Sequence, residues 1–286
     1  MWLQHPKFPM QKTVFARVVL TAALLFSGSA VYADQGFSGG VSPSRFELVS
    51  KPGDVVRRSI KIYNLGARPT QFKVRTVDWD YSVDGQISFQ DELAANSCRE
   101  WVALERHKIS VVPDPQRPRN FRFEIQIPED APAQECRFGL MMEGLADTHT
   151  AQFADGQVSL PVAGRIAVIV YLGIGGVEPE ISIGQLSVRQ VNNRQLPVLQ
   201  VRNEGQAHGR LDADLIANTD DGKRLPLTIA TSPILPGQTR FLTLSPLAGT
   251  ELRYPLTVKG KIYSDDDSTD IEATLRAPEE GFLASH

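Results

Sequence analysis

From residue 41 onward, apolar side chains recur at every second position in short runs, and turn-forming residues separate the runs. Ser59-Ile60-Lys61-Ile62-Tyr63-Asn64 alternates and then meets Asn64-Leu65-Gly66, a turn signal. Gln71 to Trp79 carries Phe72, Val74, Val77 and Trp79, and Asp84-Gly85 then predicts a hairpin into Ile87-Ser88-Phe89. Ile109 to Val112 stops at Pro113. Phe121, Phe123, Ile125 and Ile127 keep period two up to Pro128, and Phe138, Leu140 and Met142 repeat the pattern. Strands of this length and spacing predict an antiparallel sandwich. One stretch reads differently: Ser97-Cys98-Arg99-Glu100 has the form of a capping box, with Trp101 and Leu104 on one helix face. It predicts a short helical turn or an irregular loop.

Gly173-Ile174-Gly175-Gly176-Val177-Glu178-Pro179 breaks the pattern and marks a domain boundary. A nucleotide-binding glycine loop would need a helix to start there, whereas Pro179 and the apolar spacing beyond it announce another strand. The grammar then repeats. Leu196 to Val201 precedes the turn Arg202-Asn203-Glu204-Gly205, and Leu211 to Ile216 ends at Asp221-Gly222. Phe241 and Leu244 follow Leu235-Pro236-Gly237. Leu256 to Ile262 and Ile271 to Leu275 predict a closing hairpin around Asp265-Asp266-Asp267. That acidic run lacks the ligand spacing of a calcium loop and reads as a solvated turn. The chain thus reads as all-β, with an N-terminal domain over 34–173, a second over 177–276, a Gly-rich elbow between them and a disordered tail over 277–286.

The most informative run is Gln157 to Leu172. Val158, Leu160, Val162, Ile166, Val168, Val170 and Leu172 share even parity, with Gly164 as the interruption. As one strand it would reach about 50 Å, more than a compact domain can cover on one face. Part of it is therefore expected to offer an apolar row and an open backbone edge to another chain, the chemistry of β-augmentation. The alternative is a strand that bends and packs wholly on its own core.

Composition narrows the class. Lys7, Lys12 and Arg17, the apolar stretch Val18 to Phe26 and Val31-Tyr32-Ala33 read as a signal peptide over 1–33, with Met10 as an alternative start. The apolar stretch is shorter than the roughly 20 residues of a membrane span. Cleavage would remove three of the 30 basic residues and none of the 33 acidic ones, leaving 27 against 33, a formal net charge near −6. That balance argues against nucleic acid as a partner. Cys98 and Cys136, an even and isolated pair in an exported chain, read as a disulfide, with two free buried thiols as the alternative. After such cleavage the histidines are His107, His149, His208 and His286. No HExxH, GxSxG, CxxC or Walker pattern is present, and His149 falls in a polar stretch read as a mobile loop. Neither an enzyme nor a cofactor is expected.

With these residues in view, the chain resembles the periplasmic pilus and fimbrial assembly chaperones, over about residues 40 to 276. Val41-Ser42-Pro43-Ser44-Arg45-Phe46-Glu47-Leu48 is similar to that family's opening strand, and Asn64-Leu65-Gly66 to the turn after its second. Gln157 to Tyr171 is similar to the strand that such chaperones lend to an incomplete subunit. The resemblance implies two immunoglobulin-like domains in the periplasm, subunit and outer-membrane usher as partners, and Val158, Leu160 and Val162 as donor residues. The stretch Asp147 to Gln157 would be the loop leading into the donor strand. The family also holds the subunit's terminal carboxylate between an arginine and a lysine. Here Arg45 and Arg165 stand two positions before the places expected for them, which Glu47 and Ala167 occupy. A two-residue offset keeps the strand face, so Arg45 and Arg165 become the implied anchor pair, with exposed strand-end charges as the plainer reading. The cysteine pair is not general in the family. A structural or adhesive surface protein built from two sandwiches is the other reading, and an open apolar edge also invites self-association.

Overall fold

The computed structural model describes residues 39–277 apart from 83–84, 95–96, 145–147, 154–155, 162–163, 248–249 and 265–266, with backbone alone for 148–153 and 156–161. The signal segment, Val162, Asp84, Asp265, Asp266 and all of the tail beyond Ala277 therefore lie outside the described residues. In chain order the first half forms β1 (Gly39–Ser42), β2 (Arg45–Ser50), β3 (Val55–Asn64), β4 (Thr70–Tyr81), β5 (Ile87–Gln90) and β6 (Val102–Leu104). It continues through β7 (Lys108–Val111), β8 (Arg119–Gln126), β9 (Gln134–Gly144), β10 (Thr148–Phe153), β11 (Gly156–Pro161) and β12 (Arg165–Ile174).

These strands make a two-sheet sandwich. One sheet has the order β1-β3-β8-β6; the other has the order β2-β12-β9-β4-β5, with β7 also on β4. The alternating residues read from the sequence supply the core between them. Ile60, Ile62, Phe121 and Ile125 from one sheet meet Phe72, Val74, Phe138, Leu140, Met142, Val168, Val170 and Leu172 from the other, each at most 1 % exposed. The pairing is antiparallel with one exception: β2 lies parallel to β12, Arg45 to Ser50 against Ile169 to Ile174.

β12 runs to Ile174, so Gly175 and Gly176, both at φ +76°, make the turn out of the first sandwich. The second half forms β13 (Ile181–Val191), β14 (Arg194–Asn203), β15 (Asp212–Thr219), β16 (Arg224–Ile229), β17 (Thr239–Pro246), β18 (Leu256–Ser264) and β19 (Asp267–Leu275). Their order is β13-β14-β17-β16-β15-β18-β19. β17 belongs to both layers, its first half pairing with β14 and its last residues with β16. The molecule is thus an all-β pair of sandwiches of the immunoglobulin-like kind.

The two sandwiches share a local device. Asn64, 2 % exposed, donates through Nδ2 to the carbonyls of Arg68 and Val111 and accepts from the Gly66 amide. Asn203, fully buried, donates to Ala207 and Ile234 and accepts from the Gly205 and Glu180 amides. Each Asn-x-Gly turn therefore closes on a buried amide that ties a distant loop to the strand end. A β-carbon on Gly205 would meet the Glu180 nitrogen at 2.4 Å, which excludes any other residue there.

Cys98 and Cys136 are joined, as expected, and both are 1 % exposed. Residues 99–101 form a 3₁₀ turn with Cys98 at its N-cap; the Ser97 hydroxyl accepts the Arg99 amide at 3.3 Å and donates to Asp78 at 2.8 Å. The expected shared helix face is absent, because Leu104 lies in strand β6. Arg99 fastens this crossing to β4, donating to Thr76, to the Asp91 and Glu92 carbonyls and to the Asp78 carboxylate. The disulfide fastens the same segment to β9 across a sequence separation of 38. On the chain-entropy account a loop of that size is worth about 4 kcal/mol. Replacing both cysteines with serine should lower the melting temperature by on the order of 10 °C. Thermal unfolding followed by circular dichroism checks this, and an unchanged transition would assign no stabilising role to the crosslink.

Candidate functional site

Among the described residues the long even-parity run forms two strands, β11 up to Pro161 and β12 from Arg165; residues 162 and 163 lie outside the described residues. The upstream piece, β11, pairs with β10 from Gly156 against Phe153 to Pro161 against Thr148. The stretch expected to be a loop, His149 included, is therefore largely the strand β10. β9 and β12 continue this hairpin, with Arg165 opposite Glu143 and Ile174 opposite Gln134. The shared parity divides in the same way. Val168, Val170, Leu172 and Ile174 are fully buried in the first core, and Ile166 is half-buried. Val158 and Leu160 lie on β11, beyond that core segment of the hairpin.

One edge of this hairpin is bare. β2 covers β12 only from Ile169 to Ile174, so among the described residues no strand pairs with the second edge of Arg165–Val168 or of β11.

The outer face of the β2-β12-β9-β4-β5 sheet can be laid out in rows from its registers. Glu47, Tyr171 and Arg137 share a row; Arg45, Ile169, Gly139 and Val77 share the next. Ala167, Met141 and Arg75 follow, then Arg165, Glu143 and Lys73. Arg45 and Arg165 thus stand on one face, four residues or about 13 Å apart along the strands. They belong to different ion pairs: Arg45 Nε lies 2.9 Å from Glu47, and Arg165 Nε lies 2.9 Å from Glu143.

At the lower end of this face the second sandwich packs on the first. Trp79, Tyr171 and Leu235 form a small buried cluster, with Trp79 edge-on to both Tyr171 and Tyr81. His208 stacks on Tyr171 at 3.8 Å and places Nδ1 2.5 Å from Glu135. Its backbone amide donates to the same carboxylate oxygen. Glu47 receives Arg210 at 3.1 Å and faces His208 Nε2 at 3.5 Å, so it joins the two sandwiches. Gln238 donates to the Tyr81 carbonyl, and Arg240, 3 % exposed, donates to the Pro233 carbonyl and Ser232 hydroxyl with its guanidinium 5.2 Å over the Tyr81 ring. The sequence reading missed this seam. His208 was visible only as a histidine without a catalytic pattern, and nothing local pairs it with Glu135, 73 residues away.

Burial pulls the Glu47 carboxyl upward, but Arg45, Arg210 and His208 outweigh it and hold it below its ordinary 4.5. Burial pushes the Tyr171 hydroxyl up to about 12. Among the described residues no group of three or more His, Cys, Asp or Glu is placed to hold a metal ion, and no helix is long and apolar enough to cross a membrane.

No family model matches the sequence, and no curated protein does. Among solved structures the chain is similar to the YadV chaperone, at 12 % identity and a TM-score of 0.44, over 83 % of this chain and all of that one. It is similar to the chaperone DraB of E. coli at 15 % identity and a TM-score of 0.43, over 84 % of this chain and 97 % of that one. It is also similar to the SafB chaperone, solved in complex with the SafA pilin of Salmonella enterica, at 12 % identity and a TM-score of 0.44, over 85 % of this chain and 99 % of that one.

Two outcomes follow from the seam. His208→Ala leaves the Glu135 carboxylate, 2 % exposed, with Arg137 at 3.4 Å and its own chain for company. The loss should be about 1 to 3 kcal/mol, read from denaturant unfolding. For Glu47 the folded-state affinity for protons is depressed, so its contribution is present above 4.5 and fades as pH falls through and below that value. Glu47→Gln should flatten the fall of melting temperature on acidification below about pH 4.5; an identical acid limb in both proteins would exclude Glu47 as a source.

Proposed function

We propose that this chain is a periplasmic chaperone that caps a pilus or fimbrial subunit with an edge strand and hands it to an outer-membrane usher. The observation that supports this most is the edge along β11 and Arg165–Val168, unpaired among the described residues, at the end of a hairpin whose other half is fixed in the core. A strand edge of this kind offers main-chain bonds to an incomplete subunit, and alternate side chains fill its groove. Val158, Leu160 and Val162 are the donor residues in this reading. Arg45 and Arg165, on one face beside the edge, hold the subunit's terminal carboxylate, a task that suits the two-pronged guanidinium. The signal segment over 1–33 takes the chain to an oxidising compartment, where the Cys98–Cys136 bond persists. The domain over 34–173 carries the donor edge, and the domain over 177–276 closes the cleft below it.

Refolding a fimbrial subunit that lacks its last strand, in the presence of the purified chain, tests this. Gel filtration should show a one-to-one complex. Leu160→Glu should abolish it while leaving the melting temperature within a few degrees, because the new charge would be buried in the subunit's groove at a cost of several kcal/mol. A large loss of stability in that variant would place Leu160 in the chain's own core and count against donation. Arg45→Ala and Arg165→Ala should each weaken capture by about 2 to 5 kcal/mol. Undiminished capture by the double variant would remove the anchor from the proposal.

A further inference from the structure

Between the rows of Arg45 and Arg165, the outer face of the first sandwich is hollowed into a cavity of about 170 Å³. Val77, Met141 and Ala167 give it apolar walls on three adjacent strands, Phe89 closes it on the β5 side, and Arg75, Asp91 and Arg165 form its rim. Val77 and Met141 are 1 % and 4 % exposed, whereas Phe89 keeps 40 % of its surface. The cavity opens where β12 has lost its neighbour, since Ala167 and Arg165 lie in the uncovered part of that strand. A chain paired with the bare edge would pass directly beside it.

We infer that this cavity is a specificity subsite: it takes one phenyl-sized apolar side chain of the captured subunit, on the residue whose carboxylate Arg165 holds. The inference rests on the chaperone reading and adds to it what the client must present. Three features carry it. An engineered cavity of about 150 Å³ lined by aliphatic and aromatic groups accommodates benzene, so this volume suits a phenyl ring and leaves no room for a second. Four of its seven lining residues, Val77, Phe89, Met141 and Ala167, are apolar, and the three charged ones are already paired, Arg75 with Asp91 and Arg165 with Glu143, so an apolar group can enter without orphaning a charge. The rim places Arg165 beside the mouth; Arg165 is 59 % exposed and gives its Nε to Glu143, while Arg75 is bound to Asp91. Arg165 is thus the rim cation best placed for an added carboxylate, and bidentate geometry suits it.

The two adjacent methionines provide the readout. Met141 lines the cavity, and Met142, fully buried, faces the core on the opposite side of the same strand. With methionine methyls labelled in the full chain, N-acetyl-L-phenylalanine should shift the Met141 methyl saturably and leave Met142 in place. A Kd on the order of 1 mM is expected for a ligand of that size. N-acetyl-L-phenylalaninamide should bind about threefold more weakly, the size of an exposed charge pair. Ala167→Trp should abolish the shift. Phe89→Ala, which opens the wall without filling the cavity, should weaken it and keeps the test valid if the tryptophan variant does not fold. Absence of a saturable Met141 shift, the same shift with N-acetylglycine, equal affinity for the amide, or a shift that survives in folded Ala167→Trp would each overturn the subsite. The probe needs no strand pairing, so the two readings fail separately. Probe binding without subunit capture would refute the chaperone role, and capture without probe binding would refute the cavity alone.

Discussion

The free edge of the first sandwich exists because the opening strand changes sheets. β2 lies parallel to β12 from Arg45 to Ser50; carried upstream, the same register would set Val41 opposite Arg165. Val41 instead lies opposite Ile62, in β1 on the facing sheet, with Pro43 and Ser44 making the crossing. One segment of backbone cannot bond to both sheets, so binding β3 leaves Arg165–Val168 unpaired on that side among the described residues. The bare edge, the side of the cavity that meets it and the setting of Arg165 all descend from that choice. The lower half of β12, sandwiched between β2 and β9, supplies the rigidity that an offered edge needs if it is not to collapse on itself.

The seam between the sandwiches is built on different terms. The core clusters are apolar, whereas the seam combines one small aromatic cluster with carboxylates, an imidazole and arginines. Among the described residues, the buried side-chain atoms left without a partner are Trp79 Nε1, Arg210 Nε, Gln238 Oε1 and Arg240 Nε, and all four belong to the seam. Each such atom costs about 1 to 3 kcal/mol when no compensation is available. The seam is accordingly a weaker joint than its contact with Tyr171 and Leu235 suggests, held in register by Glu47 and Glu135 more than by burial.

Much of this architecture was legible in the alternation of side chains. Period two marked the core residues of β3, β8, β9 and β12 correctly, since a strand buried on one face admits only that pattern; on β4 it held for Phe72 and Val74, whereas Val77 and Trp79 lie on the outer face. Asn64-Leu65-Gly66 and Asn203-Glu204-Gly205 announced their turns because an asparagine side chain satisfies the backbone locally. The cysteine pairing was read from an even, isolated pair in a chain expected to be exported, and the two are joined. The even parity from Val158 to Leu172 falls on two strands, β11 and β12, with residues 162 and 163 between them outside the described residues. Where the reading failed, a local pattern was extended beyond its reach. The polar stretch around His149 looked like a loop because its partner strand, eleven residues on, fixes it as β10. The network of Glu47, Glu135, His208 and Arg210 joins residues far apart in sequence, and no spacing rule reaches across two domains.

The protein's other strand ends show why the β11–β12 edge stands apart. Sheets terminate in exposed N–H and C=O groups, and unprotected edges pair with whatever chain they meet. β19 carries Asp267, Asp270 and Glu272, all exposed, and β13 is interrupted by a register shift between Ile183 and Leu186. β5 and β6 are four and three residues long. The outer edge of β2 carries Arg45 and Glu47. Charge, a bulge or brevity blunts each of these. Gly156-Gln157-Val158-Ser159-Leu160-Pro161 has no charge at all, and only its terminal proline interrupts the row of donors. The outer edge of its partner β10, Thr148–Phe153, likewise carries no Asp, Glu, Lys or Arg and is unpaired among the described residues, so the β10–β11 hairpin is where backbone stands open to pairing. On the chaperone reading proposed above, the alternating apolar row on β11 is the part that would meet a sheet lacking a strand.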